Sequence, residues 1–392
     1  MNRCHQFRFF VTATFLAGFV TTVAAQKSSP DNTLASHLQA LQAVGKKGEG
    51  HRAATAAWKH LSQTDATQIT EVLAGMDGAN ELATNWIRAA VDAIAERQLR
   101  SGGKLPTDSL EEFLIDTKHA PRARRAAYEW LRRVDASAEG RLIPELMNDP
   151  SAELRRDAVE MTTNNAAKLL QTEKKEDAIL GYRSAFRAAR DIDQIQDIAD
   201  TLKDLDQTVN LPRHFGFLLN WHLIAPFDNS GMSGFDTVYP PEEKVDLQAE
   251  YQGKGEVTTW APHTTDDEFG TVDLNATLGK IKGAIAYAYT EFSSAESRNV
   301  DLRLGCINGN KIWLNGELVM SNHVYHASTA IDQYKVKVKL KKGSNAILVK
   351  IAQNEQEEGW AQRWQFQLRV CDQYGTAVLS TDREKNKTAL LD

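Results

Sequence analysis

The chain has 392 residues, 42% hydrophobic and 25% charged, and its 46 Lys and Arg against 52 Asp and Glu give a formal charge of −6. Such a composition suits folded domains with substantial cores, and the acidic balance argues against non-specific DNA or RNA binding, which needs surplus cations to neutralise phosphates. Three cysteines exclude a disulfide-framework scaffold.

Arg3 and Arg8 precede an apolar run from Phe9 to Val23 that closes on Val23-Ala24-Ala25. A basic start, an apolar stretch of this length and small residues at the cleavage positions predict a signal peptide over 1–25. The run is short and diluted by threonine for a bilayer span, and no later segment is long and apolar enough for one. Export to the periplasm, cell surface or medium is therefore expected, with no membrane span after cleavage.

Residues 31–210 read as helical. Trp86, Ala89, Ala90, Ala93 and Ile94 recur at helical spacing. Arg124-Arg125-Ala126-Ala127-Tyr128-Glu129-Trp130 matches Arg155-Arg156-Asp157-Ala158-Val159-Glu160-Met161, 31 positions later, and Arg88-Ala89-Ala90-Val91-Asp92 is a poorer third copy. Asp149-Pro150-Ser151 is a turn feeding the second copy's helix. Ala178, Tyr182, Ala185, Phe186 and Ala189, then Ile195, Ile198, Ala199, Leu202 and Leu205, mark one further helical hairpin, closer to a tetratricopeptide pair. The repeat resembles HEAT-like helical repeats, which implies a short α-solenoid; a plain helical bundle is the alternative. Arg122, Arg124, Arg125, Arg132 and Arg133 form a basic cluster, read as a solvated helix face rather than a patch for acidic polymers.

From residue 211 the grammar changes: nineteen aromatics follow, against seven between 26 and 210. Val300, Leu302 and Leu304, and later Trp364, Phe366, Leu368 and Val370, alternate with period two, and Asn308-Gly309 and Asn315-Gly316 are hairpin dipeptides beside such runs. An α + β chain with helices first and an antiparallel β-sandwich over 215–376 follows, leaving 377–392 as a polar tail. Asn220-Trp221-His222-Leu223-Ile224-Ala225-Pro226-Phe227-Asp228, Ile312-Trp313-Leu314-Asn315-Gly316, Leu340-Lys341-Lys342-Gly343-Ser344-Asn345 and Ile347-Leu348-Val349-Lys350-Ile351 occur in an order that resembles the galactose-binding-like jelly roll found beside glycoside hydrolase barrels. The two-part layout resembles exported bacterial proteins. In glycosidases that sandwich is accessory, so the resemblance implies a binding module and carries no catalytic residue.

The chemistry-bearing residues fit that reading. Gly-x-Ser-x-Gly, phosphate-loop and paired-Cys motifs are missing from the sequence. The acidic runs Asp266-Asp267-Glu268 and Glu355, Glu357, Glu358 sit in turn-like stretches, and His323-x-x-His326 lacks the further ligands zinc needs. No cofactor is expected. Asp228, Asn229 and Asp236 offer hard oxygens in a Gly-rich loop, and the resembled family often holds a structural calcium. Cys306 and Cys371 could pair after export or remain as two buried thiols; their phase along the strands disfavours pairing. Trp313, out of phase with Ile312 and Leu314, is expected to face outward, with Tyr325, Tyr334 and Trp360 converging on it and Asn315, Gln353 or Arg363 as polar partners for a sugar. The expected role is a non-catalytic interaction protein with a protein or extracellular carbohydrate partner. A carbohydrate-binding module and a hydrolase with an unrecognised cleft are the alternatives.

Overall fold

A computed structural model describes residues 33–382, so the predicted leader lies outside the described residues. The chain forms two compact units, up to Phe113 and from Leu114. No described helix is long and apolar enough to cross a membrane.

The first unit contains α1 (Leu34–Gln42), α2 (His51–Leu61), α3 (Ile69–Ala74), α4 (Glu81–Arg100) and most of α5 (Thr107–Ile115). Asn80 caps α4 by accepting the Ala83 N–H at 2.9 Å, satisfying one of the donors a helix start leaves open. The buried stripe of α4 is Ala83, Ile87, Ala90, Val91 and Ile94, whereas Ala89 is exposed. The expected stripe through Trp86, Ala89 and Ala93 is thus rotated by about one residue, because Val91 and Ile87 offer the wider apolar face.

The second unit starts with α6 (Pro121–Val134), α7 (Ala138–Leu142), α8 (Ala152–Gln171), α9 (Lys175–Ala188), α10 (Ile192–Asp204) and α11 (Leu211–Phe215). Ser151 caps α8 as its sequence predicts. The two matched segments begin at the same place: Arg124 is the fourth residue of α6 and Arg155 the fourth of α8. Both reach Asp149, Arg124 through a two-pronged pair with its carboxylate and Arg155 through a 3.0 Å bond to its carbonyl. Arg124 is fully buried. Of the basic cluster, then, Arg124 points inward and Arg125 is held by Glu129 and Asp157, which corrects the solvated-face reading. In the weak third copy Arg88 pairs with Asp92 one turn on. α9 and α10 bury Ala178, Tyr182 and Ala185 and Ile195, Ile198, Ala199 and Leu202, the positions their periodicity marks.

Strands follow: β1 (Asn220–Asp228), β2 (Glu250–Gln252), β3 (Val257–Thr259), β4 (Ala261–Thr264), β5 (Val272–Asp273), β6 (Ala284–Ser294), β7 (Arg298–Cys306), β8 (Gly309–Leu314), β9 (Glu317–Asn322), β10 (Tyr334–Leu340), β11 (Gly343–Gln353) and β12 (Gln365–Cys371). They build a six-stranded antiparallel sheet, β4-β1-β6-β11-β8-β9, and a four-stranded one, β10-β7-β12-β5, neither closed into a barrel. Trp221, Phe292, Ile312 and Val349 from the first sheet meet Leu302, Leu304, Phe366 and Leu368 from the second in one core. Asn315 (φ 54°) and Gly316 (φ 86°) make the β8–β9 turn in the left-handed region their dipeptide favours. Asn308-Gly309 is not a hairpin: β7 and β8 lie in different sheets, and the dipeptide carries the chain across between them.

Each outer face is covered in part within this unit. The excursion after β1 lays Phe235, Tyr239 and Trp260 over Tyr287, Trp313 and Leu348. Lys350, fully buried, anchors it through Glu242 at 2.7 Å and the Thr237 carbonyl at 2.8 Å. Burial pushes this ammonium below the usual lysine range despite Glu242. On the four-stranded sheet, Asp332 holds Arg369 at 2.6 Å and Arg303 at 2.9 Å, and Arg369 donates to the Phe215 carbonyl at the end of α11. Phe215 and Phe217 pack with residues of α9 and α10 and with Phe269, so helices and sandwich share one core. Residues 377–382, expected as a tail, dock instead: Ala377 bridges Cys371, and Ser380 accepts the Ser293 N–H at 3.0 Å.

Candidate binding site

β8 and β11 run antiparallel, Ile347 opposite Leu314 and Ala352 opposite Gly309, so the two strands share two ends. One end carries Asn308, Gln353 and the segments that follow; the other carries Asn315 and Asn345. The first end is unusually polar inside. Asn308 and Asn229 are fully buried. Asn308 donates to the Gln353 side chain at 2.8 Å, and Asn229 donates to the Gln353 carbonyl at 2.9 Å and the Tyr325 hydroxyl at 3.1 Å. Burial pushes the Tyr325 phenol above its ordinary range, against the pull of the Asn229 bond.

His326 continues this network outward. Its Nε2 meets Asn354 Oδ1 at 2.8 Å, and its backbone lies in the left-handed region at φ 55°. The Trp360 ring stands perpendicular to the imidazole, centroids 5.1 Å apart, yet the residue is 61% exposed. The indole is thus held against a positioned imidazole while most of it stays open to solvent. Two residues before Trp360 in the chain, Glu358 ends a segment from Asn354 that lines a cavity of about 600 Å³ together with Gly231 and Met232. Asn354 donates to Gln356 at 2.8 Å, and Glu355 accepts the Gly231 N–H at 3.1 Å, which ties the two walls together.

The expected ligand residues therefore separate. Tyr325 and Trp360 meet through His326, with Gln353 beneath them. Trp313 faces away from the central core as its phase predicts, but it is buried under the excursion and presents no surface, the cover coming from residues remote in sequence. Asn315 works in the turn at the far end, donating to Asn345 at 3.1 Å and accepting the Ala346 N–H. Tyr334 turns into the sandwich core, and Arg363 is exposed. Asp228 pairs with Lys254 and Asp236 with Lys311, while Asn229 serves the buried network. Among the described residues, no three His, Cys, Asp or Glu gather as a metal site. His323 stacks flat on Phe235 at 4.0 Å, a different task from that of His326. Cys306 and Cys371 are free: Cys306 lies opposite Phe366 and Cys371 opposite Asp301, five positions along the same ladder. Burial pushes the Cys306 thiol up to about 12 and Cys371 to about 11. Asn354 and Gln356, which complete the site, escaped the sequence reading because nothing local marks an amide in a loop.

No family model matches the chain, and no curated protein matches it. Among solved structures it is similar to a β-glucosidase from Kluyveromyces marxianus in complex with glucose, at 17% identity and a TM-score of 0.19, over 26% of this chain and 12% of that one. An anti-sigma factor domain-containing protein shares 12% identity at a TM-score of 0.25, over 45% and 48%. A β-glucuronidase of Faecalibacterium prausnitzii shares 16% at 0.23, over 35% and 21%. The chain spans less than half the length of each of these proteins.

Proposed function

We propose that the chain is an exported, non-catalytic interaction protein whose sandwich, of the galactose-binding-like type, binds extracellular carbohydrate at its Trp360 end, with a HEAT-like helical scaffold upstream. The single observation that carries this reading is the exposed Trp360 indole, fixed against His326, whose Nε2 meets Asn354 in the wall of a neighbouring groove. Sugar rings offer apolar C–H faces to an aromatic platform and hydroxyls to polar side chains; Trp360 supplies the first, and Asn354, Gln356 and the glutamates of the groove the second. The leader residues support export. The matching positions of Arg124 and Arg155 support the repeat.

Absence of catalysis is supported by where the acids lie. Glycoside hydrolysis needs two carboxyl groups flanking the scissile bond. Glu355, Glu357 and Glu358 all belong to one short segment on one side of the groove, and Glu355 is engaged by the Gly231 N–H.

Electrophoresis of the full chain through gels containing neutral galactan, β-glucan or mannan tests the reading. Wild type should be retarded by at least one of them, and Trp360→Ala should lose about 2 kcal/mol of binding, roughly a thirtyfold weaker affinity, while unfolding at the same denaturant midpoint. Retardation of both proteins alike would overturn it.

A further inference from the structure

β10 is an edge strand of the four-stranded sheet, and its sequence alternates lysine with apolar residues: Lys335, Lys337 and Lys339 are exposed while Val338 and Leu340 are buried. Period two places all three ammonium groups on the outer face, spread over roughly 14 Å in a line. Lys341 and Lys342 extend the run past the strand end. This occurs on a chain of net charge −6.

Beside the lysines lies a cavity of about 600 Å³, lined among others by Asn299, Lys337, Lys339, Gln373 and Tyr374. Tyr374 is 43% exposed. The two acids there are already satisfied. Asp301 is buried against Arg303 at 2.9 Å, and Asp372 accepts the Tyr374 and Thr376 N–H groups at 2.8 and 2.9 Å. Behind the Tyr374 turn, Arg155 donates to the Tyr374 carbonyl at 3.4 Å and Arg190 to Thr376 Oγ1 at 3.1 Å, and these two guanidinium groups offset the Asp372 carboxylate of the same turn.

We infer that this groove binds a carboxylated polysaccharide, its acid groups on Lys337 and Lys339 and a sugar face on Tyr374. Charge complementarity selects an anion, and a line of cations along an extended strand selects a linear polymer rather than a small anion. The aromatic ring and the amides of Asn299 and Gln373 suit sugar rings and hydroxyls. A nucleic acid carries denser charge, which the acidic remainder of the chain opposes. The site is separate from the Trp360 groove and does not depend on it.

The test is electrophoresis of the full chain in gels containing polygalacturonate, with neutral galactan and single-stranded DNA as parallel arms. Polygalacturonate should retard wild type, less so at high salt because the contacts are exposed. Lys337→Gln/Lys339→Gln should weaken binding about five- to tenfold, Tyr374→Ala should weaken it at unchanged salt dependence, and Trp360→Ala should leave it unaltered. Lysines on an open edge also discourage strand pairing between molecules. Self-association of the double variant with no effect of polygalacturonate on wild type would assign them to that task and overturn the proposal. Stronger retardation by DNA, or equal retardation of wild type and double variant, would overturn it as well.

Discussion

Asp332→Ala is expected to destabilise the unit from Leu114 onward by about 3–5 kcal/mol, read as a lowered denaturant midpoint for that unit's transition. The carboxylate stands between Arg369 and Arg303, both nearly excluded from solvent, with Lys335 3.8 Å away. Burial alone would raise its pKa, but the two guanidinium groups outweigh it and hold the carboxyl below its ordinary range. Removing it leaves Arg369 desolvated without its carboxylate partner, and Arg303 held by Asp301. Arg369 also stacks over Phe215 and bonds its carbonyl, so the damage reaches the contact between α11 and β12. Asp332→Asn keeps acceptor geometry without charge and should fall between the two. A loss below about 1 kcal/mol for the alanine variant would mean the arginines find solvent when released, and that helices and sandwich are held by their apolar cluster alone.

Acid should weaken the same unit well before its carboxylates titrate. His214 is half-buried beside Phe186, its Nε2 3.0 Å from the Ala189 carbonyl. Burial, and then the Arg190 charge, depress its pKa from 6.5 to about 4. The folded state therefore binds this proton less readily than the unfolded state. Its contribution is fully present above pH 6.5 and is lost as the pH falls toward 4, about 3 kcal/mol over that window. His214→Gln keeps a donor for Ala189 without titrating, so its stability should change little between pH 7 and 4.5, whereas wild type should lose most of that amount. Asp332, whose pKa lies below 3.8, contributes its own acid loss only at lower pH.

The order of helices and strands, the paired faces of α9 and α10, the inward residues of β7 and β12 and the Asn315-Gly316 turn could all be read from local periodicity and turn chemistry. What could not be read depends on what covers a face. The phase of Trp313 puts it on the outer side of its strand, but its burial depends on Trp260 and Phe235, more than fifty positions earlier in the chain. Arg124 looks like any helix-surface arginine until Asp149 closes on it from a turn 25 residues later. Cys306 and Cys371 differ in phase, and the ladder register separates them along the strands as well. Within the site, Trp360 and Tyr325 were visible as loop aromatics. Their link through His326, and the Asn354 and Gln356 amides, required three loops to fold to one end of β8 and β11.

Carbohydrate recognition without turnover at the Trp360 groove is tested most directly by probing one glycan array with wild type and Trp360→Ala side by side, followed by mass analysis of the glycans released. The expected result is a set of neutral glycans bound by wild type, lost by the variant and recovered at unchanged mass. An array blank for both proteins, the same glycans bound by both, or glycans recovered shortened would contradict it.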